Sequence, residues 1–515
     1  MNTLGPKPFR SKPRICTPPN SDFRSHLASA LLAAGLLSLA PTQAHAQTWS
    51  LGFWLGPQST PLSSLNWSGL THIVQVGVLP TSSGSLTYET DFGSVTSAQF
   101  DSTAQSTIST AHSHGVKVLL NLANASGSAW TGATTSANLS TFVNNVMAVV
   151  NRDGFDGVDI DWEQSVNWTQ MGNLASSLRT ALGSKILAAD VQVSYSANWG
   201  PLAGSFDRIS VMTYDLEGTW NPYSWFNCAL NGPSNNAAWS IAYAAQKFTS
   251  AGIPAAKLNI GLPFYGYIST GGGITGPRQA FNQSSLPTLT AATYASLSAN
   301  YNLAGATWDS AASVPWLGIS NGWITYDNGA SLTDKIYYVK SNNLGGWIMW
   351  QLGQDYISSQ NPSHPLLAAV ATAYSTYESE LLTVNSSSNQ VDLLTESGYS
   401  NGQGNILRST AVGNQVTYLL PNIPSGSYTV VVGLKTGGSR GQFQLSATRA
   451  DQNAWTNIGS VTDEYSASSS YTSVNLGTWS PASTNNKLFK FTVTGKNASS
   501  DQYWISIDYI RLTRQ

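Results

Sequence analysis

Cysteine is nearly absent from this 515-residue chain, which carries only Cys16 and Cys228. Charge is scarce as well: 24 Lys and Arg against 26 Asp and Glu make up about a tenth of the residues. No apolar stretch reaches the roughly 18 residues that a membrane-spanning helix needs. Each shortage excludes something. So few thiols leave no Cys-based metal site, and no intramolecular disulfide once the segment holding Cys16 is removed. No basic patch marks a nucleic-acid partner. Aromatics, by contrast, are plentiful, with 18 Trp and 22 Tyr, and Gly, Ser, Asn and Thr fill the remaining surface. That balance suits a secreted protein handling uncharged polar ligands, since aromatic rings serve as platforms for sugars as well as core.

The N-terminus agrees with that compartment. Lys7, Arg10, Lys12, Arg14 and Arg24 precede the apolar run LASALLAAGLLSLA (27–40), and PTQAHA follows, ending at Ala46. A basic segment, a short apolar run and a small-x-small site describe a signal peptide over 1–46 and predict an extracellular protein without a membrane span. Its removal takes away five basic residues and one acid, leaving 19 basic and 25 acidic residues, a formal charge of −6.

From 47 to 378 the chain alternates apolar, β-branched runs with helix-like segments. The runs are SLGFWL (50–55), HIVQVGVL (72–79), KVLLNLA (117–123), GVDIDW (157–162), ILAADVQV (186–193), RISVMTYD (208–215), KLNIGLPF (257–264) and GGWIMWQL (345–352). LSTFVNNVMAVVNRD (139–153) and NAAWSIAYAAQKFTSAG (236–252) read as helices between them. Near-continuous apolar strands separated by helices imply a parallel sheet covered on both faces. Eight such units predict an α/β fold, a closed (β/α)8 TIM barrel. The long gap between the seventh and eighth strands holds TWDSAASVPW (307–316) and WITYDNGAS (323–331), so a small β-rich insertion is placed there. Over 379–515 the texture changes to short alternating strands, among them QVTYLL, SYTVVVGLK, GQFQLSATR, KLFKFTVTG and YWISIDYIRL, the rhythm of an all-β, jelly-roll-like sandwich. The stretch NSSSN between the two regions is too short for a long flexible linker.

The scarce acid is concentrated in GFDGVDIDWE (154–163). On an extended strand Asp159, Asp161 and Glu163 share one face, and Val158, Ile160 and Trp162 share the other. Three carboxylates therefore line the barrel interior, with Glu163 at the strand's C-terminal end, where barrel enzymes build their sites. Such neighbours cannot all ionise cheaply, so one carboxyl must hold or share a proton, as a general acid does. Metal loops present their oxygens from Gly-containing turns rather than from an apolar strand, and no metal or other cofactor is assigned.

DGVDIDWE (156–163) resembles the fourth-strand signature of glycoside hydrolase family 18, the chitinase-like enzymes, at all four acidic positions. VMTYD (211–215) resembles the sixth-strand motif and GLPFYGY (261–267) the seventh, with Tyr267 where an arginine is more usual. GGWIMWQLGQD (345–355) resembles the eighth strand and LTHIVQVGVL (70–79) the second. At strand three the family's Ser-x-Gly-Gly is replaced by NLAN (121–124). The resemblance implies substrate-assisted, retaining cleavage of β-1,4-linked N-acetylglucosamine polymers, chitin above all. On that reading Glu163 protonates the leaving oxygen while the substrate's 2-acetamido carbonyl attacks. Asp161 holds the acetamido N–H, Asp159 modulates its charge, and Tyr214 donates to the acetamido oxygen with support from Asp215. Trp350 forms the apolar floor, with Met212, Trp220 and Tyr265 counted as substrate-binding; Trp225 and Trp323 are further stacking candidates. Asp156 and Gly157 set the start of the strand. The sandwich loosely resembles carbohydrate-binding modules, with Tyr399, Trp455, Trp479 and Trp504 as candidate platforms. N-glycan cores and peptidoglycan carry the same acetamido group, and a non-hydrolytic lectin on the same barrel is the reading from another class. The partner is an N-acetylglucosamine-containing polysaccharide, and the protein is taken as a monomer.

Overall fold

A computed structural model describes residues 48–122, 126–232, 239–449 and 454–515. The signal-peptide segment, Ala123 and Asn124 of NLAN, and the start of the 236–252 helix lie outside the described residues. The eight apolar runs are eight parallel strands: β1 (Trp49–Trp54), β2 (His72–Pro80), β3 (Lys117–Leu122), β4 (Gly157–Ile160), β5 (Ile186–Gln192), β6 (Arg208–Met212), β7 (Leu258–Pro263) and β8 (Gly346–Trp350). Each pairs with its successor, and β1 pairs with both β2 (Leu51 beside His72) and β8 (Trp49 beside Gly346), which closes the barrel. The strands are buried along almost their whole length because helices cover one face and side chains fill the other. At the N-terminal end Trp49 stacks on His72 at 4.0 Å and Arg208 lies over the Trp49 ring at 4.2 Å, plugging the floor.

The covering helices follow from their periodicity. In Leu139–Asp153, Phe142, Val143, Val146, Val149 and Val150 recur every three or four residues and are buried. The helix stops at Gly154, whose φ of 89° suits a residue without a Cβ and lets its N–H close on Val150 O at 3.1 Å.

Between β7 and β8 the predicted insertion is a five-stranded antiparallel sheet. Its strands lie in the order Thr288–Thr293, Tyr265–Thr270, Gly322–Thr325, Val314–Ile319 and Thr307–Asp309. Because Tyr265–Thr270 starts one residue after Phe264, the sheet rises directly from the mouth of the barrel.

The C-terminal strands form a four-stranded and a five-stranded antiparallel sheet around a core that includes Tyr418, Val430, Phe489 and Phe491, with a smaller three-stranded sheet beside them. Two strands with no apolar alternation complete these sheets, Trp455–Asp463 and Ser470–Trp479, both largely exposed. The stretch NSSSN is no spacer, since Asn385–Ser387 belong to strand Thr383–Ser387, which pairs with Gln415–Ile423. Helix Pro365–Ser375 runs straight into strand Thr376–Glu378, which pairs with the chain's last strand, Tyr509–Arg514.

Candidate active site

The acidic row stands where alternation places it. Asp159 is 1 % exposed, deep in the barrel, while Asp161 and Glu163 are half-buried nearer the mouth. Trp162 faces the other way and stacks flat on Trp130 with 5.2 Å between centroids. Asp156, below the row, ties β3 to β4: its Oδ2 accepts from the Val118 N–H at 2.8 Å and from His112. A Cβ at Gly157 would stand 2.2 Å from Ile186 O, so the close approach of β4 to β5 requires glycine there.

The partners of the row come from its neighbours in the barrel. From β3, Asn121 Nδ2 donates to Asp159 Oδ2 at 2.9 Å, so the departure from the family pattern at strand three supplies a donor. From β5, Gln192 Nε2 donates to Glu163 Oε2 at 3.2 Å. One layer lower on the same face of β5 is Asp190, buried like Asp159 and within hydrogen-bonding reach of it. Burial raises the Asp159 carboxyl above the usual range, although bonds from Asp190 and Asn121 oppose the shift. Burial first, and the Asp159 charge second, raise Asp190 well above it. Asp190 and Gln192 were not foreseen. The signal was present, because Ala188, Asp190 and Gln192 alternate against Leu187, Ala189 and Val191, but a single acid gives it no emphasis.

Across the mouth, Tyr214 follows β6 and is buried against Gly261 of β7, where a Cβ would come within 2.6 Å of its ring. Burial and the surrounding acids Asp190, Asp215, Asp161 and Glu163 push its phenol well above 10, so it is a hydrogen-bond donor at every working pH. Asp215 has a φ of 56°, an uncommon conformation for a non-glycine residue, and Asn227 Oδ1 accepts its N–H at 2.9 Å. Its carboxylate takes two phenol donors, Tyr265 Oη by a short bond and Tyr267 Oη at 2.8 Å. The Tyr265 hydroxyl is thus engaged by Asp215, and its ring meets Tyr214 edge-on with centroids 6.2 Å apart.

Trp350 ends β8, half-buried, with its ring 5.3 Å from Phe53. Met212 ends β6 and packs partly against the barrel core. Trp220 is 72 % exposed on the loop after β6. Trp225 and Trp323 are corrections to the stacking candidates, since both are buried in a cluster around Phe226, Trp323 on a strand of the insertion sheet, and the Trp225 indole donates to Trp239 O at 2.8 Å. In the sandwich, Tyr399 and Trp479 are likewise core: Tyr399 shares a hydrogen bond with Ser506, and Trp479 packs on Phe489. Trp455 is 37 % exposed with Lys490 over its ring, and Trp504 lies beneath the Arg408 guanidinium. Among the described residues no cluster of three or more His, Cys, Asp or Glu has the arrangement of a metal site.

Known proteins with similar sequences point the same way. The model of the family described as glycosyl hydrolases family 18 matches residues 50–355. Chitinase A1 of Niallia circulans is 34 % identical over 270 residues, 43 % of this chain and 38 % of that protein. A probable endochitinase of Caenorhabditis elegans is 28 % identical over 272 residues, 46 % of this chain and 44 % of that protein. The chain therefore spans less than half the length of these two relatives. Among solved structures, a Rhizomucor miehei chitinase superposes with a TM-score of 0.52 at 24 % identity, covering 63 % of this chain and 99 % of that one. Catalytic domain 2 of the Ostrinia furnacalis Group II chitinase gives 0.55 at 20 % identity, covering 64 % and 96 %. At such identities the superpositions speak to the fold.

Proposed function

Because the chain belongs to glycosyl hydrolases family 18, we propose that it hydrolyses β-1,4-linked N-acetylglucosamine polymers, chitin above all, by retaining, substrate-assisted catalysis. The observation that carries this reading is the convergence of the Asp159–Asp161–Glu163 row with Tyr214 and the phenol-clamped Asp215 at one end of the barrel. A conventional retaining enzyme needs a second carboxylate about 5 Å from the acid, across the scissile bond. Asp161 stands two residues from Glu163, both just beyond the C-terminal end of β4, poorly placed to attack. The nucleophile is then the substrate's own acetamido carbonyl oxygen.

Glu163 gives its proton to the leaving oxygen and, as a carboxylate, later activates water. Asp161 accepts the acetamido N–H and stabilises the oxazolinium-like intermediate, while Asp159 modulates its charge from below. Tyr214 donates to the acetamido oxygen, and Asp215 supports that arrangement. Trp350 provides the apolar floor; Met212 and Tyr265 line it, and Trp220 offers an exposed ring farther along the chain of sugars. We assign residues 1–46 to a secretory leader, 47–378 to the hydrolase and 379–515 to a polysaccharide-anchoring module, and the protein acts as a monomer.

The test sets the protein against chitin oligomers, a high-mannose glycopeptide and peptidoglycan, beside Glu163→Gln. Chitin oligomers are cleaved with retained anomeric configuration, and Glu163→Gln loses on the order of a thousandfold in kcat. An inverted product, or a variant as active as the parent, overturns the mechanism. Cleavage of only the glycopeptide or peptidoglycan relocates the substrate, and binding without any cleavage makes the protein a lectin.

A further inference from the structure

The buried acids beneath the mouth of the barrel outnumber those the proposed chemistry uses. Asp190 is 3 % exposed, and neither of its oxygens meets an N–H or hydroxyl donor among the described residues. The group within its reach is the Asp159 carboxyl. Two carboxylates facing one another out of water cannot both ionise without leaving adjacent, unsolvated like charges. A proton between them removes one charge and supplies the missing donor. The remaining titratable groups facing Asp190 only sharpen that demand. Asp161 and Glu163 face it from the segment just beyond β4 and the Tyr214 phenol from the segment just beyond β6. Ser210 of β6, beside it in register, and Gln192 on its own strand are neutral. The nearest cation in the register, Arg208, lies a layer lower over the Trp49 ring.

We propose that Asp190 is a positioning residue for the catalytic row: it shares one buried proton with Asp159, so that Asp161 stays a carboxylate available to the acetamido N–H. The inference rests on the chitinolytic reading. Asp159 has one amide donor, from Asn121, which is too little for a full charge at that depth. Without Asp190, Asp159 shares a proton taken up from water with the next acid along the row, and that acid is Asp161. With Asp190 the demand is met on the side away from the substrate.

The experiment compares parent, Asp190→Asn and Asp190→Ala by the pH dependence of kcat/KM on chitin oligomers and by infrared spectra of protonated carboxyls. In Asp190→Ala, Asp159 and Asp161 share a proton taken up from water, so the acid limb of the profile moves up by roughly half to one pH unit. Asp190→Asn supplies an amide donor in place of the proton and moves the limb less, while the alkaline limb and KM stay put. At neutral pH the infrared band of protonated carboxyls falls by one group in Asp190→Asn, because Asp159 is then a simple carboxylate. A buried residue acting only through packing would lower kcat/KM evenly across pH and leave the band unchanged; that result, or superimposable profiles, overturns the proposal. The infrared reading needs no turnover: if the parent cleaves no oligomer, the chitin reading falls while the shared proton is still decided.

Discussion

Asp215 shows how much of this site depends on single hydroxyl groups. Its backbone is held in the left-handed region and its carboxylate carries two phenol bonds from one strand, at Tyr265 and Tyr267. Where the family more often has a guanidinium at the second position, this chain has a neutral donor. Hydrogen bonds to a charged group are worth about 1.5–3 kcal/mol. Tyr267→Phe should therefore lower kcat/KM on chitin oligomers by roughly ten- to a hundredfold, measured at the pH optimum. Tyr267→Arg restores a donor to Asp215 and should retain more activity than the phenylalanine variant. Equal loss in both would mean that the ring, and not the hydroxyl, matters. The motif GLPFYGY identified both tyrosines, but their common target, on the segment after β6, became visible only once the ends of β6 and β7 lay side by side.

Among the elements, the loop between β6 and helix Ile241–Ser250 buries an unusual group. Glu217 is fully buried and accepts the Trp225 N–H, yet its Oε1 has no partner among the described residues. Burial pushes its carboxyl from 4.5 up to about 8. The folded chain thus holds a proton that the unfolded chain releases between those values. The contribution to stability is complete below about pH 4.5 and is lost as pH rises through 8. Glu217→Gln removes this dependence. Its unfolding free energy, from urea titrations, should match the parent's near pH 4.5 and exceed it at pH 9 by on the order of a few kcal/mol. A parallel pH dependence in both proteins would show that Glu217 does not ionise in the fold. Nothing local in the sequence marks this residue, because its burial depends on the insertion sheet that covers the loop.

For the whole molecule, the join between barrel and sandwich is polar and centred on the buried Glu378. The Tyr337 and Ser400 hydroxyls both donate to Glu378. Lys340 donates to the carbonyls of Ala373 and Tyr374 at 2.6 and 2.9 Å, where the last barrel helix passes into the first sandwich strand. Burial brings that lysine down to about 7. A sandwich tied this closely to the barrel would hold the hydrolase at a fixed attitude to any polymer it grips. Of the four aromatic platforms expected there, Trp455 is the most exposed. If it stacks on sugar at about 0.5–1.5 kcal/mol, Trp455→Ala should weaken retention on insoluble chitin by roughly threefold to tenfold. Unchanged retention would assign the sandwich a purely structural part.

The sequence by itself determined the eight barrel strands, the place of the insertion and the one-sided row of acids. All three follow from local periodicity, which reports what a strand or helix must bury irrespective of its neighbours. Only the tertiary structure decided which residues meet across strands. It sets Asp190 and Gln192 of β5 beside the row and turns Asn121 from a departure into a donor. It also sends Trp225, Trp323, Tyr399 and Trp479 into the core, and it recruits the two polar strands Trp455–Asp463 and Ser470–Trp479 into sheets. The physical reason is the same in each case. Burial and partnership are set by residues distant along the chain, and an aromatic ring or a lone acid carries no local mark of which neighbours it will face.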